Sequence, residues 1–285
     1  MVWTALITPY REDGSVNYDE YARLLEEQFK AGVDGVLVLG TTGEAPSLSD
    51  EEKLVLYEFA VRNAPKGLKL MAGSGTNNLQ KTIRWTSKVM DLGYDYALVV
   101  VPYYLKTSQE GLYRYFRRVA EETGAPIILY NVPGRTGTNM LPGTIVRLAE
   151  VENIVGVKEA SGSDDAISEI LIGVPDDFLV LSGDDSKTLP FLSLGAHGVI
   201  SVASNLFPAQ VSEMVRRRDV RVHRALFPLF KALFVEPNPI PVRYFMGLMG
   251  YDVGPYRLPL VEPSQETKAL LRKVLAEVQE RLRSL

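Results

Sequence analysis

A (β/α)8 TIM barrel with a C-terminal helical extension is the fold class the sequence predicts. Short β-branched runs alternate with longer segments of helical periodicity, the pattern of repeated βα units on a parallel sheet. Eight such runs occur before the alternation stops near Arg217. The main alternative, an open doubly wound sheet, lacks its usual phosphate loop, because Gly73-Ser74-Gly75 has no third glycine at GxGxxG spacing.

The strands are expected near Trp3–Thr8, Gly35–Gly40, Lys69–Gly73, Tyr96–Pro102, Pro126–Asn131, Ile154–Glu159, Leu179–Gly183 and Gly198–Val202. Each is followed by a helical segment: Tyr18–Ala31, Asp50–Asn63, Leu79–Asp91, Gln109–Glu122, Pro142–Glu150, Asp164–Ile172, Ser186–Leu194 and Pro208–Arg217. Eight units close a barrel. Helical pattern then continues through Val222–Phe234, Ile240–Met249 and Thr267–Arg283 with proline-rich turns between. The segment Glu236-Pro237-Asn238-Pro239-Ile240-Pro241 reads as a turn feeding a helix start, where proline's missing N–H is tolerated. The expected organisation is a catalytic barrel over 1–218 and a helical extension over 219–285.

Composition narrows the chemistry. A chain of 285 residues that is 46% hydrophobic can bury a large core, yet rarely makes two full domains. A formal charge of −4 gives no electrostatic reason to seek nucleic acid or an anionic membrane. The absence of cysteine excludes disulfides, thiolate metal sites and a cysteine nucleophile, and makes the cytoplasm the expected compartment. The start, MVWTALITPY, lacks a basic and apolar leader, and no apolar run reaches about 18 residues. Neither secretion nor membrane spanning is expected. Only two histidines occur, His197 and His223, so a His-plus-carboxylate metal centre has few ligands. No catalytic metal is expected.

In a barrel of this class the site lies at the carboxyl ends of the strands, and unusual residues do fall there. Strand two ends in Gly40-Thr41-Thr42-Gly43-Glu44, strand four in Pro102-Tyr103-Tyr104, strand five in Tyr130-Asn131 and strand six in Lys158-Glu159. Alternation puts Lys158 on the face of Gly156, which should leave room beside it. A lysine pointing inward loses water, which disfavours the ammonium, and the neutral amine is the form that attacks a ketone. The same residue also fits a strand end with its head in water or paired with Glu159. Tyr130 shares a face with Ile128, and its phenol can give or take a proton or else be satisfied by backbone in the core.

Thr41 and Thr42 lie in a glycine-flanked turn, suited either to a small anion-binding nest or to capping. Arg135, in Pro133-Gly134-Arg135-Thr136-Gly137, is a loop cation suited to a carboxylate or to solvent. Tyr103 and Tyr104 read as packing or interface aromatics, and Asp184 and Asp185 as helix caps. His197 should sit at the opposite end of the barrel in a structural role. His223 reads as surface or packing, and Met246 and Met249 as core.

The ordered set of segments resembles the dihydrodipicolinate synthase family, within the larger group of N-acetylneuraminate lyase and other class I pyruvate aldolases. It runs from Leu6-Ile7-Thr8-Pro9 through Gly40-Thr41-Thr42-Gly43-Glu44, Ala72-Gly73-Ser74-Gly75, Pro102-Tyr103-Tyr104 and Ser108-Gln109-Glu110-Gly111. It continues through Tyr130-Asn131-Val132-Pro133-Gly134-Arg135-Thr136-Gly137, Val155-Gly156-Val157-Lys158-Glu159-Ala160, Ser182-Gly183-Asp184-Asp185, Gly198-Val199-Ile200-Ser201-Val202 and Asn238-Pro239-Ile240-Pro241-Val242. The resemblance implies that Lys158 forms a Schiff base with pyruvate beside Tyr130 as proton donor and acceptor. It implies that Thr42, helped by the Thr41 backbone, holds pyruvate's carboxylate, and that Gly183 and Ile200 line that site. Thr41, Tyr130 and Tyr104 would form a proton relay, with Tyr104 entering from a neighbouring subunit of a homotetramer built as a dimer of dimers.

Arg135 would bind the carboxylate of L-aspartate 4-semialdehyde, the second substrate, giving 4-hydroxy-tetrahydrodipicolinate on the route to diaminopimelate and lysine, with no external cofactor. A different pyruvate aldolase, cleaving a 2-keto-3-deoxy sugar acid or a hydroxy-oxo acid, is the nearest competing activity, and a non-catalytic pyruvate-binding protein is a rival of another class. One departure bears on regulation. Lysine-inhibited members resemble this chain at Asn77 and Tyr103 but typically carry Ser-Ala at Ala45-Pro46, histidine at Lys53 and glutamate at Lys81. A cation at Lys81 would repel the inhibitor's ammonium. Weak or absent feedback by lysine is expected.

Overall fold

The computed structural model describes all residues 1–285. Its eight strands form a closed parallel barrel in chain order, β1 to β8. Two compact units make up the chain: Met1–Leu68 with Ser201–Leu285, and Lys69–Ile200.

In the first unit, β1 (Val2–Ala5) pairs in parallel with β2 (Gly35–Val38), Trp3 opposite Gly35. Helix α1 (Tyr18–Lys30) starts where the Asn17 side chain accepts from the Glu20 N–H, so one of the orphan donors of the first turn is satisfied. It buries Tyr21, Leu24 and Leu25. The buried amide of Gln28 is fully engaged, accepting from Thr4 Oγ1 at 2.6 Å and donating to the Ser204 carbonyl at 3.1 Å. Helix α2 (Asp50–Asn63) begins with a capping box between Ser49 and Glu52.

The second unit runs β3 (Lys69–Gly73), α3 (Leu79–Asp91), β4 (Tyr96–Val100), α4 (Gln109–Thr123), β5 (Ile127–Asn131), α5 (Pro133–Thr136) and α6 (Pro142–Leu148). It continues with β6 (Ile154–Glu159), α7 (Asp164–Gly173), β7 (Leu179–Ser182) and α8 (Thr188–Leu194), and β8 (Gly198–Ser201) ends at its boundary. Ile127, Leu129, Val157 and Val180 lie in one buried cluster with Leu112, Phe116, Ile145, Leu148, Ile167 and Ile170 of the helices. Because strand side chains alternate, the remaining set, Ile128, Tyr130, Gly156, Lys158 and Leu181, faces the barrel interior. Back in the first unit, the chain ends in α9 (Pro208–Arg217), α10 (Val220–Ala232), α11 (Ile240–Leu248) and α12 (Gln265–Arg283). No helix is long and apolar enough to cross a membrane.

The expected elements recur, with differences at their ends. β2 stops before Gly40 because Leu39, at φ 55°, has already turned into the left-handed region. β4 stops at Val100, although the Val101 N–H still donates to the Tyr130 carbonyl at 2.9 Å, and Pro102 then offers no donor. The helix expected from Ser186 begins as a 3-10 turn, Asp185–Lys187, before α8. The loop expected around Arg135 is a one-turn helix, α5, entered through Pro133, whose fixed φ suits a first helical position.

Candidate active site

β5 and β6 are in register with Tyr130 opposite Lys158 and Asn131 opposite Glu159. The pleat therefore sends the tyrosine and the lysine to the same inward face. Lys158 is 5% exposed, and its Nζ lies 4.3 Å from the centre of the Tyr130 ring. Its amine forms no ion pair, and the neighbouring Glu159 is occupied elsewhere. The room expected beside Lys158 at Gly156 is already filled: a Cβ there would meet the Leu179 carbonyl at 2.6 Å and Ile128 Cδ1 at 2.9 Å. Gly156 is thus required by close strand packing.

Gly183 is the glycine that lies against the lysine stem. Its N–H donates to the Glu159 carbonyl at 2.7 Å, extending the β6–β7 ladder, and a Cβ on it would lie 3.1 Å from Lys158 Cε. Ile200 is buried in β8, one residue beyond Val199, the partner of Ser182. A buried lysine amine over an aromatic face, with a glycine beside its stem, has the makings of a nucleophile that a small ketone can reach.

The outward pair at the same strand ends is polar and buried. Glu159 accepts from Asn131 Nδ2 at 2.9 Å and from the Ser161 N–H at 2.6 Å. Burial pushes its carboxyl above the ordinary glutamate value, and the hydrogen bonds from Ser161 and Asn131 act in the opposite direction. Asn131 also donates to Asn139 Oδ1 and the Met140 carbonyl, and accepts from the Met140 N–H. The segment leaving α5 is therefore tied back to the strand ends.

Arg135 is exposed on α5. Tyr104 is 88% exposed, and its backbone, at φ 73°, is held by donation from its N–H to the Thr136 carbonyl at 3.3 Å. A bulky residue in the left-handed region is strained, and such strain concentrates at functional positions.

In the first unit, the turn after β2 carries Thr41 and Thr42. Thr41 is half-buried, while Thr42 is buried and accepts from Asn238 Nδ2 at 3.0 Å. Glu44 closes the turn in the left-handed region at φ 57°. Its carboxylate pairs with Arg243 at 3.0 Å, and both side chains are almost wholly enclosed. Burial pushes the Glu44 carboxyl above its ordinary value, while Arg243 pulls it down. Arg243 also donates to the carbonyls of Thr8, Val253 and Pro255. Its guanidinium lies 4.9 Å from the centre of the Tyr10 ring.

The remaining candidates are structural, as expected. Asp184 caps a turn by accepting from the N–H and hydroxyl of Ser186. His197 Nδ1 accepts from the Val180 N–H at 3.1 Å at the start of β8. His223 packs between Phe227 and Phe230, and burial lowers its pKa. Met246 is fully buried, whereas Met249, expected in the core, is the half-buried C-cap of α11.

The model of the Dihydrodipicolinate synthetase family matches residues 1–278. This chain belongs to that family. Among curated members of the dihydrodipicolinate synthetase family, a 4-hydroxy-tetrahydrodipicolinate synthase of Bacillus velezensis is 43% identical, covering 96% of this chain and 98% of that protein. The one from Dehalococcoides mccartyi strain 195 is 46% identical over 95% of this chain and 94% of its own length. Among solved members, the 4-hydroxy-tetrahydrodipicolinate synthase of Methylacidiphilum fumariolicum SolV superposes with a TM-score of 0.96 at 41% identity, covering 99% of this chain and 97% of that one. A family member from Cyanidioschyzon merolae with lysine bound gives 0.94 at 38% identity, covering 98% and 97%.

Against that family background, the sequence reading missed Arg243 and the roles of Asn238, Asn131 and Glu159. For Arg243 a signal existed: it is the lone charge in the otherwise apolar Ile240–Leu248 helix, and a charge there has to be paired if it is buried.

Proposed function

We propose that this protein condenses pyruvate with L-aspartate 4-semialdehyde through a Schiff base on Lys158. The observation that carries the reading is Lys158 itself: an enclosed amine without a carboxylate partner, at the end of β6 and over the Tyr130 ring. Neutral Nζ attacks the keto carbon of pyruvate, the carbinolamine loses its oxygen as water, and a protonated imine remains. The imine is an electron sink that acidifies the methyl group, so Tyr130 can move a proton from that carbon to give the enamine. The enamine carbon attacks the aldehyde carbon of the semialdehyde, whose oxygen takes up a proton. The adduct's own amine then displaces Lys158 from the imine carbon, releasing cyclic 4-hydroxy-tetrahydrodipicolinate, with held reactants supplying the effective concentration. One water leaves overall.

In this reading Thr42 and the Thr41 backbone take pyruvate's carboxylate, Gly183 and Ile200 line the pocket, and Arg135 takes the carboxylate of the semialdehyde. Thr41, Tyr130 and Tyr104 relay protons. A homotetramer, as a dimer of dimers, fits the exposure of Tyr104 at 88% and Leu105 at 66%, since large apolar side chains left so open mark interfaces. One solved relative, 41% identical with a TM-score of 0.93, is a monomeric variant, and sedimentation of this protein measures its own assembly. We also assign residues 1–218 to the catalytic barrel, 219–285 to its extension, and the protein to the cytoplasm.

The test is twofold. Pyruvate with borohydride should add mass at Lys158, and product should form from pyruvate and semialdehyde, with Arg135→Ala raising the KM for semialdehyde and leaving the pyruvate adduct intact. An unmodified Lys158 would refute the Schiff base.

A further inference from the structure

Two residues of the turn after β2 are gripped by one short stretch leading into and along α11. Asn238 Nδ2 donates to Thr42 Oγ1 at 3.0 Å, and Arg243 donates to Glu44 Oε1, also at 3.0 Å. An amide NH2 only donates, so at this contact the threonine hydroxyl accepts. The hydroxyl's own hydrogen makes no bond to the protein, although Thr42 is 2% exposed. A hydroxyl in that state is oriented to donate, which is the polarity an anion needs.

The Arg243 contact fixes the other end of the turn. Glu44 sits in a backbone conformation that costs a glutamate energy, and the ion pair with a wholly buried guanidinium holds it there. The same guanidinium reaches the carbonyls of Val253 and Pro255, so it is itself held from the far side.

We propose that Asn238 and Arg243 are positioning residues for the carboxylate-binding turn, Asn238 by making Thr42 a hydrogen-bond donor and Arg243 by fixing the backbone at Glu44. This rests on the reading that Thr42 receives the carboxylate of pyruvate. The C-terminal segment is then a working part of the anion site.

The experiment is a kinetic cycle on the full-length enzyme with Asn238→Asp, Asn238→Ala, Thr42→Val and the two corresponding doubles. The aspartate accepts Thr42's proton and reverses the bond. It should raise the KM for pyruvate by about 10- to 100-fold, the scale of one lost hydrogen bond to a charged group, while the KM for the semialdehyde stays put. The alanine, which removes the donor without adding charge, should give a smaller rise. Both penalties should shrink to within about twofold in the Thr42→Val background, because residues acting through one contact are not additive.

Direct repulsion of pyruvate by the new aspartate would persist in that background, and a persistent penalty there would overturn the proposal. A pyruvate KM unchanged in both single variants would overturn it too, and Asn238→Ala keeps the test open if the aspartate variant does not fold. Arg243→Lys, which retains the charge opposite Glu44 but not the guanidinium fork, should raise the pyruvate KM with kcat little changed. Borohydride trapping of pyruvate on the parent separates the two levels. If the parent fails to trap, the functional reading falls; if it traps and the cycle is flat, this inference alone falls.

Discussion

Adding one methyl group at Gly183 tests the geometry around Lys158 most directly. The glycine's φ is outside the left-handed region, so alanine is acceptable to the backbone, and its N–H can still donate to the Glu159 carbonyl. The effect is therefore steric. The new Cβ would lie 2.7 Å from Ala160 Cβ and 3.1 Å from Lys158 Cε. Carbon atoms prefer about 3.5–4.0 Å, so Ala160 has to retreat by about 0.8 Å or more and the lysine stem by about 0.4 Å or more. The Ala160 methyl is fixed to backbone, so that contact is relieved only by a shift of the strand ends of β6 and β7, which carries Lys158 with it, while the flexible lysine stem yields to its own contact. A misplacement of about 1 Å at a reacting group costs about 100-fold. A displacement near half that should lower kcat/KM for pyruvate by about 10-fold, alongside about 1–3 kcal/mol of overpacking. Steady-state kinetics with pyruvate as the varied substrate, borohydride trapping rates and a thermal melt separate the two effects. A folded Gly183→Ala enzyme that traps and turns over pyruvate within about twofold of the parent would refute the argument that this glycine leaves room for the Lys158 stem.

Three further outcomes are expected. Arg243→Met leaves the Glu44 carboxylate enclosed without its cation and should cost about 3–5 kcal/mol in urea unfolding; adding Glu44→Gln should restore part of it, and a loss below about 1 kcal/mol would show that the pair is dispensable. Glu159 has a folded-state pKa raised by burial above the ordinary 4.5, so its contribution favours folding at pH values below 4.5 and is lost as pH rises through the raised value. Glu159→Gln lacks that titration, so its stability relative to the parent should increase with pH above about 4.5, by at most about 1.4 kcal/mol per unit, and a flat or falling difference across a pH series of melts would contradict the burial argument. L-lysine at low-millimolar concentration should leave turnover unchanged, because Lys81 lies in the first turn of α3 near Asn77, whose Nδ2 donates to the Tyr103 carbonyl, and adds positive charge where an ammonium would bind; clear inhibition would overturn this.

The barrel was legible because its evidence is local. Each strand is a β-branched run and each helix an apolar periodicity, several of them opened by a side-chain cap, and Ser49–Glu52 or Asn17–Glu20 can be read within four residues. Lys158 and Tyr130 were legible for the same reason, as inward positions near strand ends. What the sequence hid depends on distant partners. Glu44 looks like a turn residue until Arg243, 199 positions away, is seen to hold it. Leu39 and Tyr104 take left-handed conformations that no local propensity favours, so their contexts impose them. Gly156 was read as open space when it is a point of contact, because alternation gives a side chain's face and says nothing about how far the neighbouring strand has closed in.

The register of β5 with β6 links these two kinds of information. Alternation sends Tyr130 and Lys158 inward together, and one step on it sends Asn131 and Glu159 outward together. The inward pair supplies an amine and a phenol. The outward pair, through Asn131, holds Asn139 and Met140, the residues by which the chain leaves the α5 turn that carries Arg135. A slip of one residue in this register would move the amine out of the interior and release that segment at once. Placement of the Lys158 amine and anchorage of the arginine-bearing turn are therefore fixed by one pairing, which gives a physical reason for Asn131 and Glu159 to follow Tyr130 and Lys158 on their strands.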